Sequence, residues 1–130
     1  MEMLLREISR CKDDVVITGS WVARIHNKLR RRPHDIDIVV TSLDGLEKFG
    51  EIICFDSTSI FAKDAKRCVI KDNEVQIDIW VKDTLPEYDI IKGIKYQTIN
   101  DQKRHYNELI ESTDNEVLIS RLSRKLEVLK

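Results

Sequence analysis

Three aspartates carry the chemistry this sequence is equipped for. In "PHDIDIVV", residues 33 to 40, Asp35 and Asp37 stand at the entrance of an apolar β-branched run made of Ile36, Ile38, Val39 and Val40. Two residues apart on an extended chain, their side chains emerge on one face, roughly 6 to 7 Å apart at the backbone. A buried unpaired carboxylate is costly and neighbouring ones repel, so the pair calls for a cation, a salt-bridge partner or open solvent. Further along, "VQIDIW" sets Asp78 in mid-strand, on the face opposite the apolar row Val75, Ile77, Ile79 and Val81. If the two strands are neighbours in one sheet, the three acids converge and raise one another's pKa values unless cations bind. A ligand set made only of oxygens suits Mg²⁺ or Mn²⁺, and Mg²⁺ completes its shell with water and substrate phosphates.

Gly19 and Ser20, in "VVITGS", supply the complementary half. A glycine after a buried strand lets the backbone approach a ligand closely, and a helix starting there aims free N–H groups at an anion such as phosphate. Ser20 reads either as the helix N-cap or as a phosphate donor.

The elements that must position these residues follow from periodicity. Met3, Leu4, Leu5, Ile8 and Cys11 predict a short helix ending near Lys12, and Val15 to Ile17 a strand buried on both faces. Trp21, Val22, Ile25 and Leu29 predict a helix that runs until Pro33. "DIDIVVT" is a second strand, "SLDGLEKFG" a short helix opened by Ser42, and "EIICFDS" a third strand. Cys68 to Lys71 and Val75 to Val81 form a hairpin turning at Asp72 and Asn73. "DTLPEYD" is a loop, "IKGIKYQTIN" holds one more short strand, and Asn100 or Asp101 caps a helix through Leu109 and Ile110. A final helix carries the stripe Val117, Leu118, Leu122, Leu126 and Leu129, with Arg121, Arg124, Lys125 and Lys130 outside it. The expected fold class is therefore α+β: a mixed sheet packed on helices, in one domain over residues 1–130, with core motifs at 15–81 and a helical segment at about 100–130.

Composition narrows the function classes. The chain has 130 residues, enough for a single core, and its 22 basic residues nearly balance 23 acidic ones, so any attraction to nucleic acid or membrane must be local. No apolar run approaches the roughly 18 to 20 residues of a membrane span, and the charged N-terminus is unlike a signal peptide; the expected location is cytoplasmic. Cys11, Cys54 and Cys68 lack paired spacing and read as reduced, and the scattered His26, His34 and His105 give no zinc pattern.

A strand ending in Gly-Ser, a helix, an Asp-hydrophobic-Asp-hydrophobic strand start and a later single Asp on another strand resemble the nucleotidyltransferase superfamily with the DNA polymerase beta-like palm. The resemblance covers residues 15 to 81 and is nearest to the small stand-alone or toxin/antitoxin-associated branch, where an Arg often sits four residues before the first Asp, as Arg31 does here. Pro33 replaces the small hydroxyl residue common in that branch. The resemblance implies a two-metal, Mg²⁺- or Mn²⁺-dependent transfer of a nucleoside monophosphate from a nucleoside triphosphate to an acceptor hydroxyl, with release of pyrophosphate. It further implies that Asp35 and Asp37 bridge both ions, that Asp78 binds the catalytic ion and helps deprotonate the acceptor, and that Gly19 and Ser20, with Arg31, hold the nucleotide. The acceptor stays open among RNA or tRNA ends, a protein side chain and a small hydroxylated molecule, and a second copy of the chain or a partner protein would complete its site.

Three other readings compete, the plainest being an interaction protein with no Mg²⁺-dependent nucleotide affinity. A metal-dependent nuclease of the acid-x-Lys type would want Lys where Trp80 stands. A catalytically silent nucleotide- or metal-binding module, or a toxin–antitoxin partner of the same fold, would keep the acids without turnover. The basic run Arg24, Lys28, Arg30, Arg31 and Arg32 reads equally as a phosphate-binding face and as a solvated one.

Overall fold

A computed structural model describes residues 2–55, 65–72 and 75–130. Among the described residues seven strands make one mixed sheet: β1 (Val15–Thr18), β2 (Asp35–Val40), β3 (Ile52–Phe55), β4 (Lys66–Asp72), β5 (Val75–Val81), β6 (Tyr88–Ile91) and β7 (Ile94–Gln97), in the order β3-β4-β5-β2-β1-β7-β6. β2 runs parallel to β5 and β1 parallel to β7, while the remaining pairs are antiparallel. Four α-helices accompany the sheet among the described residues: α1 (Glu2–Arg10), α2 (Ser20–Ile25), α3 (Ile99–Ser112) and α4 (Glu116–Val128). The fold is α+β, with the two C-terminal helices in place. No helix among the described residues is long and apolar enough to cross a membrane.

Side-chain alternation divides the sheet. Ile36, Ile38 and Val40 on β2, Ile77 and Ile79 on β5, and Val15 and Ile17 on β1 point to one side, where they pack with Leu5 and Ile8 of α1 and Trp21 of α2. The opposite face carries Thr18, Asp37, Asp78 and Trp80, all bordering a cavity. A second, smaller cluster joins Tyr106 and Leu109 of α3 to Leu122 of α4, Leu129 just beyond it and Ala23 of α2. It holds the helical pair beside the start of α2.

Several elements differ from their sequence expectations. α2 spans only six residues, because Asn27 adopts a left-handed conformation (φ 60°) and the N–H groups of Asn27 and Lys28 bond back to the carbonyls of Arg24 and Ala23. That double bond is a Schellman closure, and Asn tolerates its left-handed position. Ser20 is not the cap: Gly19 occupies that position, and Ser20 is the first helical residue. The stretch after β2 forms turns and a 3₁₀ segment, Glu47–Phe49, rather than an α-helix. The expected single strand in "IKGIKYQTIN" is a hairpin, β6 to β7, whose turn residues Lys92 and Gly93 both have positive φ. Thr98, not Asn100 or Asp101, caps α3, accepting from the Asp101 N–H.

The cysteines are also corrected. Cys54 and Cys68 face each other across β3 and β4 and form a disulfide, and Cys11 is free. Their separation of 14 residues gave no framework spacing; only the strand register brings them together. Asn73, expected in the hairpin turn, and Asp56 and Ser57, expected in the third strand, lie outside the described residues.

Candidate functional site

Register builds the site. Asp37 on β2 is the direct partner of Asp78 on β5, and its other neighbour is Thr18 on β1. Thr18, Asp37 and Asp78 therefore lie side by side on the face away from the core, and all three border an open cavity of about 680 Å³. The expectation that both acid-bearing strands are neighbours is met at its closest possible register. Asp35, one pleat further out on β2, lies opposite Gln76, is exposed and does not border the cavity.

The pair is electrostatically tense. Burial, and then the charge of Asp78, raise the Asp37 carboxyl from 3.8 to about 7; Lys125 pulls it down, while Asp35 and a hydrogen bond to Asp78 push it further up. Asp37 is thus the carboxyl of the pair pushed toward neutrality, as burial beside a like charge does to an acid. Asp78, only 7% exposed, accepts from Gln76 Nε2 at 2.9 Å and lies 3.4 Å from Arg67 Nη2. Tyr106 stands near the pair: burial, then the charge of Asp37, hold its phenol well above the usual range.

Gly19 closes one side. Its φ of 67° belongs to the left-handed region, and a Cβ added there would collide with Asp37 Oδ2. The backbone thus touches the carboxylate at a place where only glycine fits. Gln102 of α3, 2% exposed, fixes this turn by donating from Nε2 to the Gly19 carbonyl at 3.0 Å. Gln102 is itself flanked by Asp101, which accepts from Gln97 Nε2 at 2.8 Å and pairs with Arg104. His105 borders the cavity, its pKa lowered by burial and then by Lys82.

A second hollow of about 220 Å³ adjoins the first at Gly19, Gln102, Tyr106 and Lys125. Ser20, Arg31, Arg124 and Lys125 bring three cations and a hydroxyl to its wall. Arg31 is thus on the wall of this hollow and does not border the cavity of the carboxylates. Arg24 instead folds back on the carbonyls of Leu29 and Arg30, and Lys28 Nζ donates to the Lys130 carbonyl, so these members of the basic run serve the local chain.

Among the described residues no group of three or more His, Cys, Asp or Glu is arranged to hold a metal ion. Two carboxylates could hold one: Asp37 and Asp78 are register partners on adjacent strands and border the same cavity, where a cation with water and phosphate oxygens would fit. Sequence reasoning missed Lys125, Gln102 and Tyr106. Lys125 was readable, since it lies seven residues after Leu118 and three after Leu122, within the apolar stripe rather than outside it.

No protein-family model and no curated protein matches the chain. Among solved structures, the crystal structure of JHP933 from Helicobacter pylori is similar in fold, with a TM-score of 0.54 at 16% sequence identity. The match covers 88% of this chain and 56% of JHP933, so the chain spans little more than half that protein's length.

Proposed function

We propose that the chain is a divalent-cation-dependent nucleotidyltransferase, of the polymerase beta-like fold, that moves a nucleoside monophosphate from a nucleoside triphosphate to an acceptor hydroxyl. The observation that carries this reading is the Asp37–Asp78 pair, half-buried and buried respectively, in register on adjacent strands, with Asp37 against the Gly19 turn. Mg²⁺ or Mn²⁺ held by Asp37 and Asp78, with Asp35 at the outer end of the row, would offset charge on the attacking and leaving oxygens. The acceptor oxygen forms a bond to the α-phosphorus as the bond to the α–β bridging oxygen breaks, and pyrophosphate departs with that electron pair. The hydroxyl proton passes to Asp78. The Gly19 backbone, Ser20 and Arg31, joined by Arg124 and Lys125, hold the terminal phosphates in the adjoining hollow.

A second reading, a nucleotide- or metal-binding module without turnover or a toxin–antitoxin partner, draws support from the exposure of Asp35 away from the cavity. Incubation with each α-labelled nucleoside triphosphate, Mg²⁺ or Mn²⁺, and pools of RNA, protein and small hydroxylated acceptors separates the two. Label transfer that disappears in Asp37→Asn and Asp78→Asn supports the enzyme. Metal-dependent binding without transfer supports the module, and absence of nucleotide binding removes the enzyme.

A further inference from the structure

Arg67 sits where the carboxylate pair meets the cavity wall. Its guanidinium lies over the rings of Phe55, at 5.3 Å, and Trp80, at 5.6 Å, and reaches Asp78 Oδ1 at 3.4 Å. The contact is long, and the two side chains differ in burial: that of Arg67 is 36% exposed, that of Asp78 10%. Arg67 Nε has no hydrogen-bond partner among the described residues. The guanidinium is therefore stacked more than it is bonded. Gln76 Nε2 reaches the same Oδ1 at 2.9 Å, a shorter and neutral bond. Orientation and charge at Asp78 thus come from different side chains.

We propose that Arg67 is the resident counter-ion of the Asp37–Asp78 pair, occupying the place of the divalent cation until one binds and yielding Asp78 to it, while Gln76 keeps that carboxylate oriented throughout. The inference rests on the cation reading of the preceding subsection. A divalent ion attracts the pair with twice the charge of a guanidinium and at shorter range, so it displaces a 3.4 Å contact held chiefly by two aromatic rings. Arg67 in turn opposes cation binding through its positive charge, and this sets the cation concentration at which the site fills. The groups facing the pair are Thr18, Asp35, Gln76, Arg67, Tyr106 and Lys125. Of the two basic side chains among them, Arg67 is the one in direct contact with a carboxylate oxygen.

The two roles predict opposite signs. Mn²⁺ binding to the full-length protein, followed by the electron paramagnetic resonance of free Mn²⁺ at pH 8, should be about tenfold tighter in Arg67→Met and Arg67→Gln, because a like charge has left the site. Gln76→Leu should bind Mn²⁺ several-fold more weakly, because Asp78 loses its orienting donor. Arg67→Lys keeps charge and stem and should stay within about twofold of wild type, which preserves the test if the larger changes fail to fold. Arg67→Met or Arg67→Gln binding no tighter than wild type, or a tenfold change in Arg67→Lys, overturns the inference. Wild-type protein that binds no Mn²⁺ at millimolar concentrations overturns the cation reading itself and this inference with it.

Discussion

Asp37 and Asp78 are register partners on the parallel strands β2 and β5, and burial with mutual repulsion holds a proton on Asp37 up to about pH 7. That proton makes stability depend on pH in a defined direction. Below the ordinary carboxyl value of 3.8 the group is protonated in folded and unfolded chains alike. Between there and about 7 only the folded chain keeps the proton, so its contribution declines as pH rises and is gone above 7. Comparing wild type with Asp37→Asn by denaturant unfolding isolates this group. The stability difference should move by about 2–3 kcal/mol against wild type between pH 5 and pH 8. A difference that does not change with pH contradicts the assignment.

Lys125 opposes that shift from α4. Removing its charge in Lys125→Met should move the Asp37 midpoint further up, and a carboxyl resonance of Asp37 followed by nuclear magnetic resonance reads this directly. A downward movement would separate Lys125 from the site.

The Gly19 turn has no room for a side chain. Gly19→Ala combines a left-handed φ with a collision against Asp37, so it should destabilise by about 2 kcal/mol or more. Bound nucleotide should be lost with it, because the colliding atom belongs to the proposed ligand. Calorimetry of the folded variant with Mg²⁺ and nucleotide tests both effects.

Much of this was legible before the structure, and what was not has particular causes. Asp37 and Asp78 stand out because an acid between β-branched residues alternates with a buried row, and period-two patterning survives folding unchanged. Their register is a matter of sheet order and appears only in three dimensions. The length of α2 was misread because its apolar spacing continues to Leu29, whereas the Asn27 closure that ends it is a single-residue signal. β6 was missed because Tyr88, Asp89, Ile90 and Ile91 are all exposed or half-buried and show no alternation, leaving the Lys92-Gly93 turn as the one clue. The Cys54–Cys68 bond depends wholly on the pairing of β3 with β4.

That disulfide closes a span of 14 residues, for which chain entropy gives a stabilisation of about 3 kcal/mol. Reduction should lower the denaturant midpoint accordingly. Thiol titration of the unfolded chain should count one free cysteine before reduction and three after it. Three before reduction would remove the bond from the account.

The three acids should not contribute equally. Asp37 and Asp78 border the cavity and Asp35 does not, so Asp37→Asn and Asp78→Asn should each lower transfer by about a hundredfold or more, with Asp35→Asn costing less. Equal losses at all three would mean that Asp35 turns inward when the cation binds.

The central claim is that the pair at Asp37 and Asp78 works on the α-phosphate of a nucleoside triphosphate. Parallel reactions with α-labelled and γ-labelled nucleotide, in Mg²⁺ and with the pooled acceptors, test it most directly. The α label should become covalently attached to an acceptor and the γ label should appear in pyrophosphate, with both signals absent from Asp37→Asn. Retention of the γ label on an acceptor, its release as inorganic phosphate, or full activity in Asp37→Asn would contradict the account.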